Sequence, residues 1–380
     1  MTEKLYYKDA YISSFSANVV EVAPMESGYD VVLDKTAFFP EEGGQGCDTG
    51  YIGDGRVTHV YESGGIVHHI VDIPVSVGKI NCKIDFRDRF EKMQCHTAEH
   101  ILCGIIHRLF GFDNVGFHLG DDEVTFDVNG VLNRTQLDMV EDLANNAVFA
   151  NVQIETNFPT ADELTSLEYR AKLDITDGVR LVKIGDIDTC ACCAPHVAFT
   201  GEIGVIKMLD FMKHRGGTRI WMVAGLRALA DYRDRYTNVK RVSGMLSAPQ
   251  SEIANTLEGC IKEAEQTRSA LKMARLRIAE LEAELIDTSD TSRVFLFKDF
   301  AIPELIAFSN LANKKVKGIT VALSGVEGDY KYVISSQDTN LRELSKDINS
   351  ALSGRGGGRP EMIQGSFSCT LDEIKSYFEK

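Results

Sequence analysis

Four residues carry the side chains best suited to binding a metal ion. His96 and His100 lie in Cys-His-Thr-Ala-Glu-His, and Cys192 and His196 lie in Cys-Cys-Ala-Pro-His. The members of each pair are four residues apart, and on a helix such residues share one face, so two imidazoles can bind one ion. One thiolate and three imidazoles suit tetrahedral Zn²⁺, which polarises carbonyl groups and lowers the pKa of bound water.

The spacing supports a metal without defining a reaction. Either pair alone is weak evidence, whereas two pairs in one chain favour a metal site. Glu99 precedes the second histidine, whereas zinc proteases place the glutamate directly after the first, and zinc-finger spacing is absent as well. Four protein ligands are typical of a structural zinc, and three ligands plus water are typical of a catalytic one, so both remain open.

Composition indicates an ordinary folded protein with several domains. The chain has 380 residues, 44% of them hydrophobic, and a formal net charge of −15. This length predicts two to four domains. No apolar run approaches the ~20 residues of a membrane span, and the polar N-terminus lacks a signal sequence, so we expect a cytoplasmic protein. Its nine cysteines are therefore expected as free thiols or metal ligands. The negative charge argues mildly against nucleic-acid binding, although a local basic patch suffices.

The secondary structure predicted around the four donors indicates an α+β fold. Short β-type runs in residues 1–85 predict a small β-barrel, and helical apolar spacing predicts a helix over residues 86–112 that contains both His96 and His100. Further helices are predicted near 135–150 and 162–173, and strands near 124–128, 152–158, 179–184 and 203–209. The C-terminal region reads as an α/β domain, interrupted by a glycine-rich loop at 353–360 with phosphate-binding character.

A long helix separates the two halves. Apolar or small residues alternate at spacings of four and three from Ile253 to Leu285, a heptad pattern sustained over more than four repeats. One long helix cannot bury such a stripe by itself. Its partner is either the preceding segment, 225–245, folded back as a hairpin, or a second subunit.

Four motifs, in order along the chain, resemble those of the alanyl-tRNA synthetase editing region. Residues 36–50 contain Thr-Ala-Phe-Phe-Pro, Gly-Gly-Gln and Asp-Thr-Gly, and residues 96–100 read His-Thr-Ala-Glu-His. Residues 191–204 resemble the family's Cys-Gly-Gly-Thr-His-Val and Thr-x-Glu-Ile-Gly run, and residues 357–365 resemble the Gly-Gly-Arg-Pro-Asp-Met-Ala-Gln signature of its DHH-associated domain. No aminoacylation domain is found, so the chain resembles the free-standing alanyl-tRNA editing proteins of the long AlaX form.

This resemblance implies four domains and one activity. The domains are a β-barrel (1–85), a zinc-binding α+β editing domain (86–224), a helical hairpin or coiled coil (225–288) and a DHH-associated-like α/β domain (289–380). The activity is ATP-independent deacylation of mischarged tRNA(Ala), chiefly Ser-tRNA(Ala) and also Gly-tRNA(Ala), for translation fidelity. A second site that hydrolyses the wrong ester is needed where a pocket for a small side chain discriminates poorly. A homodimer through the coiled coil or the C-terminal domain is one option, and no membrane partner is expected.

The resemblance also assigns residues. One Zn²⁺ per chain is expected on His96, His100, Cys192 and His196. The expected catalytic residues are Thr97, Glu99 and His118, the last as a contact for the serine hydroxyl. The expected tRNA contacts are Arg355 and Arg359. Gln45 and Asp48 are expected to hold the barrel against the editing domain.

One departure from the family pattern affects the segment between two ligands. Cys193-Ala194-Pro195 stands where the family has Gly-Gly-Thr. Pro195 fixes its own φ and removes an N–H, so the substrate preference is expected to differ if that N–H contacts the substrate. The extra thiols of Cys190 and Cys193 are candidate competitors for the metal.

Two other functions fit parts of the sequence. A non-catalytic tRNA-binding module would use the zinc as a structural ion. A metal-dependent phosphoesterase would fit the DHH-associated region, but the chain has no Asp-His-His motif.

Overall fold

A computed structural model describes residues 1–120, 123–171, 178–288 and 291–379. The mixed helix-and-sheet class predicted from the sequence is confirmed. The chain divides into two compact units, Met1–Val239 and Lys240–Lys380, and the boundary falls within one helix. The finer division into four domains remains a prediction. Among the described residues, no helix combines the length and apolar character that crossing a bilayer requires.

The first unit begins with a closed six-stranded barrel. Its order is β2-β3-β7-β6-β5-β8, and the short strands β1 and β4 pair in parallel beside it. Alternate residues along these strands point inward and are buried, because successive side chains of a strand face opposite sides. The strands are β1 (Glu3–Lys4), β2 (Ser14–Pro24), β3 (Tyr29–Leu33), β4 (Lys35–Thr36), β5 (Gly50–Ile52), β6 (Gly55–Ser63), β7 (Ile66–Val71) and β8 (Gly78–Ile84).

The rest of the first unit surrounds one buried helix. Helix α1 (Phe86–Phe110) ends at Gly111, which adopts the left-handed conformation that suits glycine. The other elements are β9 (Asn114–Leu119), β10 (Val124–Val128), α2 (Arg134–Phe149), β11 (Ile154–Asn157), α3 (Ala161–Leu164), β12 (Leu181–Ile184), β13 (Asp188–Ala191), β14 (Ile206–His214), β15 (Gly217–Ala224) and α4 (Gly225–Leu246). They form a four-stranded sheet, β14-β15-β10-β9, and a three-stranded sheet, β11-β12-β13.

Gly104 brings α1 against the second of these sheets. A Cβ atom at this position would lie 2.7 Å from the Cβ atom of Asp188 and 2.7 Å from the carbonyl oxygen of Ile187. Only glycine allows so close an approach. Because His100 lies one helical turn before Gly104, this contact fixes the distance between His100 and strand β13.

Two predicted elements of this unit differ in the structure. The helix predicted at 162–173 is limited to Ala161–Leu164, since the chain then leaves the helical path, and residues 172–173 lie outside the described residues. The strand predicted at 203–209 begins only at Ile206, because Thr200–Ile203 form a short 3₁₀ turn.

The second unit is a long helix followed by an α/β domain. Its five-stranded sheet has the order β16-β17-β18-β20-β19. The elements are α5 (Ile253–Glu284), β16 (Arg293–Phe297), α6 (Ile302–Ala312), β17 (Thr320–Val326), β18 (Asp329–Ser335), α7 (Leu341–Ala351), β19 (Gly354–Arg359), β20 (Met362–Phe367) and α8 (Leu371–Phe378). The last turns of α5 bury Ala279 and Ala283 in the same apolar cluster as Phe308 of α6.

The prediction of a loop at 353–360 was wrong, because most of this segment forms the edge strand β19. Gly356 shows the physical reason: a Cβ atom there would lie 2.3 Å from the carbonyl oxygen of Gln364 on β20. The glycines therefore allow close strand pairing rather than loop formation.

The heptad stripe of α5 remains exposed over most of its length. Leu257, Leu271 and Ile278 are 44%, 49% and 47% exposed. Apolar side chains at coiled-coil positions are normally covered by a partner helix.

Candidate metal centre

The structure brings together all four metal-ligand candidates. His96 and His100 project from adjacent turns of α1, while Cys192 and His196 lie in the irregular segment after β13. Their four ligand atoms all lie within 4.8 Å of one another. The helical-face argument holds for the first pair only, because Cys192 and His196 converge through a loop that contains Pro195.

Two of the three histidines are oriented from outside α1. His96 Nδ1 donates to Gln45 Oε1 at 2.8 Å, and His100 Nδ1 lies 3.2 Å from Asp188 Oδ2. Arg170 in turn holds Asp188 with two hydrogen bonds, of 2.7 and 2.8 Å. Bonds of this kind fix both the tautomer and the ring orientation of a ligating histidine, leaving Nε2 to face the metal position.

Thr97 orients the third histidine. It donates its hydroxyl hydrogen to the carbonyl of Met93 at 2.7 Å, so its oxygen accepts from His196 Nδ1 at 3.0 Å. His196 Nε2 then lies 3.3 Å from Cys192 Sγ, and His96 Nε2 lies 3.6 Å from the same sulfur. Thr97 is fully buried behind the imidazole, which places it as a positioning residue rather than at the reacting atoms.

The protonation states expected of Cys192 and His196 suit metal binding. Burial alone would raise the pKa of the Cys192 thiol, but the imidazoles of His96 and His196 outweigh burial and hold that pKa well below its usual value. Burial lowers the pKa of His196 to about 3. A thiolate and a neutral imidazole are the forms that ligate a metal. Burial would lower the pKa of His100, but Cys190 and Asp188 outweigh burial and raise that pKa, so this imidazole must release a proton to bind a metal.

Glu99 lies beside the donors with one oxygen anchored. Its Oε1 accepts from the Asn114 side-chain amide and from Cys103 Sγ at 3.2 Å. Its Oε2 lies 4.0 Å from His100 Nε2. The second oxygen is thus held close to the metal position.

A cavity of about 1190 Å³ opens onto the donors. This volume slightly exceeds the range usual for sites that enclose small ligands. Its wall includes Glu42, His96, Glu99, Asn114, Arg180 and Cys192. His118 is not part of this wall; it is exposed on β9, where it pairs with Thr125 of β10.

The extra thiols occupy different places. Cys190 forms a second group with His100 and Asp188, whose ligand atoms also lie within 4.8 Å of one another. Cys193 belongs to neither metal-binding group among the described residues, and burial raises its pKa.

The barrel contacts one face of α1 next to the site. Arg89, Lys92 and His96 lie on this face, at spacings of three and four residues. Arg89 Nε donates to Asp48 Oδ1 at 2.9 Å, and Lys92 Nζ donates to the Cys47 carbonyl at 2.7 Å. The Arg89 and Asp48 side chains are both fully buried. Asp48 thus joins the barrel to α1, whereas Gln45 contacts a metal-ligand candidate directly.

Several residues of the site were not predicted from the sequence. Asp188 stands two residues before Cys190 on a strand, so both side chains face one side, and this alternation was the available signal. Asn114, Arg170 and Arg180 gave no local signal, because their roles depend on contacts across the fold. Arg355 and Arg359 both lie on the edge strand β19 of the second unit.

Two segments of the first unit match known families of tRNA synthetase domains. Residues 2–87 match the family described as class II (A) tRNA synthetases, and residues 179–220 match the threonyl and alanyl tRNA synthetase second additional domain. The second match covers β12, β13 and the loop that carries Cys192 and His196.

Individual relatives align with nearly the whole chain. The chain is 27% identical to the alanyl-tRNA editing protein AlaX-L of Pyrococcus horikoshii, over 98% of this chain and 96% of that protein. It is 28% identical to the alanine–tRNA ligase of Pyrococcus furiosus, over the full chain but only 43% of the ligase. The predicted resemblance to free-standing alanyl-tRNA editing proteins is therefore confirmed. The solved C-Ala domain of Aquifex aeolicus alanyl-tRNA synthetase aligns with 24% of this chain and 91% of that one, at 19% identity and a TM-score of 0.21.

Proposed function

We propose that this chain is a trans-editing aminoacyl-tRNA hydrolase that deacylates mischarged tRNA(Ala), chiefly Ser-tRNA(Ala) and also Gly-tRNA(Ala). One observation carries the proposal. Three histidines, each held through Nδ1, converge with Cys192, and His96, His100 and Cys192 line a cavity large enough for more than an amino acid. The similarity to an alanyl-tRNA editing protein along nearly the whole chain supports the same activity. An enzyme of translation fidelity would work in the cytoplasm.

The donor set fits one zinc ion. His96, His100, Cys192 and His196 would hold it, and all but the partly buried Cys192 are almost fully buried. When bound, Zn²⁺ would polarise the ester carbonyl or lower the pKa of a water molecule.

Glu99 is the proposed proton acceptor for the attacking water. Its Oε1 is held by Asn114 and Cys103, so Oε2 stays directed at the metal position. Proton transfer requires a group within hydrogen-bond reach of the water, and a water molecule beside His100 Nε2 would lie next to Glu99 Oε2. Thr97 acts indirectly, through His196.

Contacts to tRNA are proposed on strand β19. Arg355 and Arg359 are four residues apart on this strand, so their side chains leave the same face of the sheet. Both are exposed, and no ion pair engages either one within the described ranges. Two free guanidinium groups provide a local basic patch for phosphates on a chain of net charge −15.

Helix α5 is the proposed dimer contact. In a parallel, in-register pair, position g of one helix faces position e of the other, five residues later. With Leu257, Leu271 and Ile278 at position a, Glu263 would face Arg268 of the second copy, and Arg277 would face Glu282. Opposite charges meet in both cases, which favours association of two copies through the exposed stripe.

Deacylation assays test the proposed activity. Wild-type protein with zinc is expected to hydrolyse Ser-tRNA(Ala) and Gly-tRNA(Ala) faster than Ala-tRNA(Ala). Cys192→Ala and His96→Ala should abolish this activity, and a chelator should reduce it. Cys260→Ala is the matched control, because this thiol is exposed on α5. Deacylation at the wild-type rate by both ligand variants would refute the proposal.

A non-catalytic tRNA-binding module is the second candidate, since four protein donors complete the closed coordination that structural zinc prefers. In that case metal removal would unfold the first unit, and the intact protein would bind tRNA(Ala) without cleaving the ester. Unfolding can be followed through Trp221, the single tryptophan of the chain.

A further inference from the structure

Arg180 is a buried cation in the cavity wall that has no carboxylate partner among the residues the structure describes. Arg180 directly precedes β12 in the chain, and it is only 6% exposed. The buried Arg89 and the partly buried Arg170 form ion pairs with Asp48 and Asp188. No carboxylate of residues 1–120, 123–171, 178–288 or 291–379 pairs with Arg180 in this way. Buried charges are costly unless they are paired, so an external anion would complete this site.

The hydrogen bonds of Arg180 leave most of its donors unused. Nη1 donates to the carbonyls of Cys192 and Ala194, both at 2.9 Å, whereas the buried Nε has no partner within the described part of the chain. A guanidinium group has five N–H donors in a rigid planar fork, which matches two oxygens of a phosphate. The bonds that Arg180 does make hold it against the backbone of a metal-ligand candidate.

An aromatic ring lies beside the guanidinium group. The Arg180 guanidinium carbon lies 5.5 Å from the centre of the Tyr7 ring, and both residues line the cavity that contains His96 and Cys192. This cation–π contact holds the guanidinium group at the cavity wall, where its planar fork can meet a phosphate.

The charges of the substrate identify which part this position would bind. An aminoacyl-tRNA carries an α-ammonium group on the amino acid and phosphodiesters along the backbone. A guanidinium group repels the ammonium and attracts a phosphodiester. The phosphodiester closest to the ester is the one 5′ of the terminal nucleotide. We propose that Arg180, with Tyr7 beside it, forms the subsite for this terminal nucleotide and binds its 5′ phosphodiester. This inference rests on the proposed function.

Two stable analogues test the subsite without relying on hydrolysis. The first is 3′-amino-3′-deoxyadenosine carrying serine through an amide; the second adds a cytidine joined through the 5′ phosphodiester. Binding of both to the zinc-loaded protein is measured by calorimetry. Arg180→Gln should weaken binding of the second analogue about tenfold or more, the loss expected for a charge-assisted hydrogen bond, and leave the first within about twofold. Arg180→Lys, which keeps the charge without the fork, should give an intermediate loss.

Controls separate this role from support of the Cys192 loop. Arg134→Gln removes an exposed arginine of α2 that pairs with Asp138, and it should bind both analogues as the wild type does. Zinc content and Trp221 fluorescence report whether each variant is folded and loaded. Equal losses for both analogues, or no loss for either, would overturn the subsite while leaving the proposed function standing. Wild-type protein that binds neither analogue would instead overturn the proposed function, and the subsite with it.

Discussion

The buried pair between Arg89 and Asp48 should control the stability of the first unit. Asp48 accepts from Arg89 Nε and Nη2 and from the backbone N–H of Phe39. Arg89 also donates to the carbonyls of Ala10 and Ala37, so its fork joins α1 to the barrel at three places. Both side chains are 0% exposed, and removal of either partner leaves a charge that water cannot reach.

The expected cost follows from this geometry. Breaking a buried ion pair by removing one partner costs about 3–5 kcal/mol. Asp48→Asn and Arg89→Met should each destabilise the first unit by this amount. The double variant Asp48→Asn with Arg89→Met should cost clearly less than the sum of the two single variants, because no unpaired charge remains. A coupling energy of at least about 2 kcal/mol is expected.

Urea unfolding followed by Trp221 fluorescence measures this effect, since Trp221 lies on β15 of the first unit. With a slope of about 1–3 kcal/mol per molar urea, each single variant should lower the midpoint by roughly 1 M or more. Arg87→Met is a matched control, because Arg87 lies two residues earlier on α1 and is largely exposed. Single variants that cost under about 1 kcal/mol, or a double variant as unstable as the sum, would refute this reasoning.

Three further predictions concern separate features. Burial lowers the pKa of His69 to about 4, below its unfolded value near 6.5, so its contribution to stability should be lost as pH falls from about 6.5 towards 4. His69→Gln should therefore reduce the slope of stability against pH by up to ~1.4 kcal/mol per pH unit in urea titrations, and a variant that keeps the wild-type slope would contradict the assignment. Gly104→Ala should push α1 away from Asp188 and so weaken zinc binding about 10–100-fold in chelator competition, even though alanine favours helix formation. An unchanged zinc affinity would show that Gly104 does not set the position of His100. Leu271→Lys should make the protein monomeric in sedimentation experiments, whereas a wild type that is already monomeric would rule out α5 as the dimer contact.

Periodic elements were the most predictable part of the fold. Helices α1 and α5 repeat apolar residues over many turns, so the sequence determined their type and approximate length. Helix α6 was missed because apolar residues surround it: buried Leu305 and Phe308 lie beside equally buried Glu304 and Ser309. A helix without a polar face gives no stripe to detect.

The metal-ligand candidates could be predicted from their residue types, but the residues that orient them could not. The thiol and imidazoles could be recognised by chemistry, since few other side chains bind zinc. Gln45 and Asp188, which orient two of the imidazoles, are 51 and 88 residues from their partners. Contacts across such separations depend on how the barrel and β13 pack against α1. The same reason explains why His118 looked equivalent to Glu99 in the sequence, although it lies outside the cavity wall.

The chain order of the donors also determines when a metal can first be captured during synthesis. His96 and His100 leave the ribosome early, within α1, but the site is incomplete until His196 has emerged and β13 has docked on the helix. At translation rates of about 5–20 residues per second, α1 waits roughly 5–20 s for its partner segment. During this interval the two imidazoles can hold an ion only weakly. All four donors can therefore hold a metal only from a late step in the folding of the first unit, after the barrel has been made.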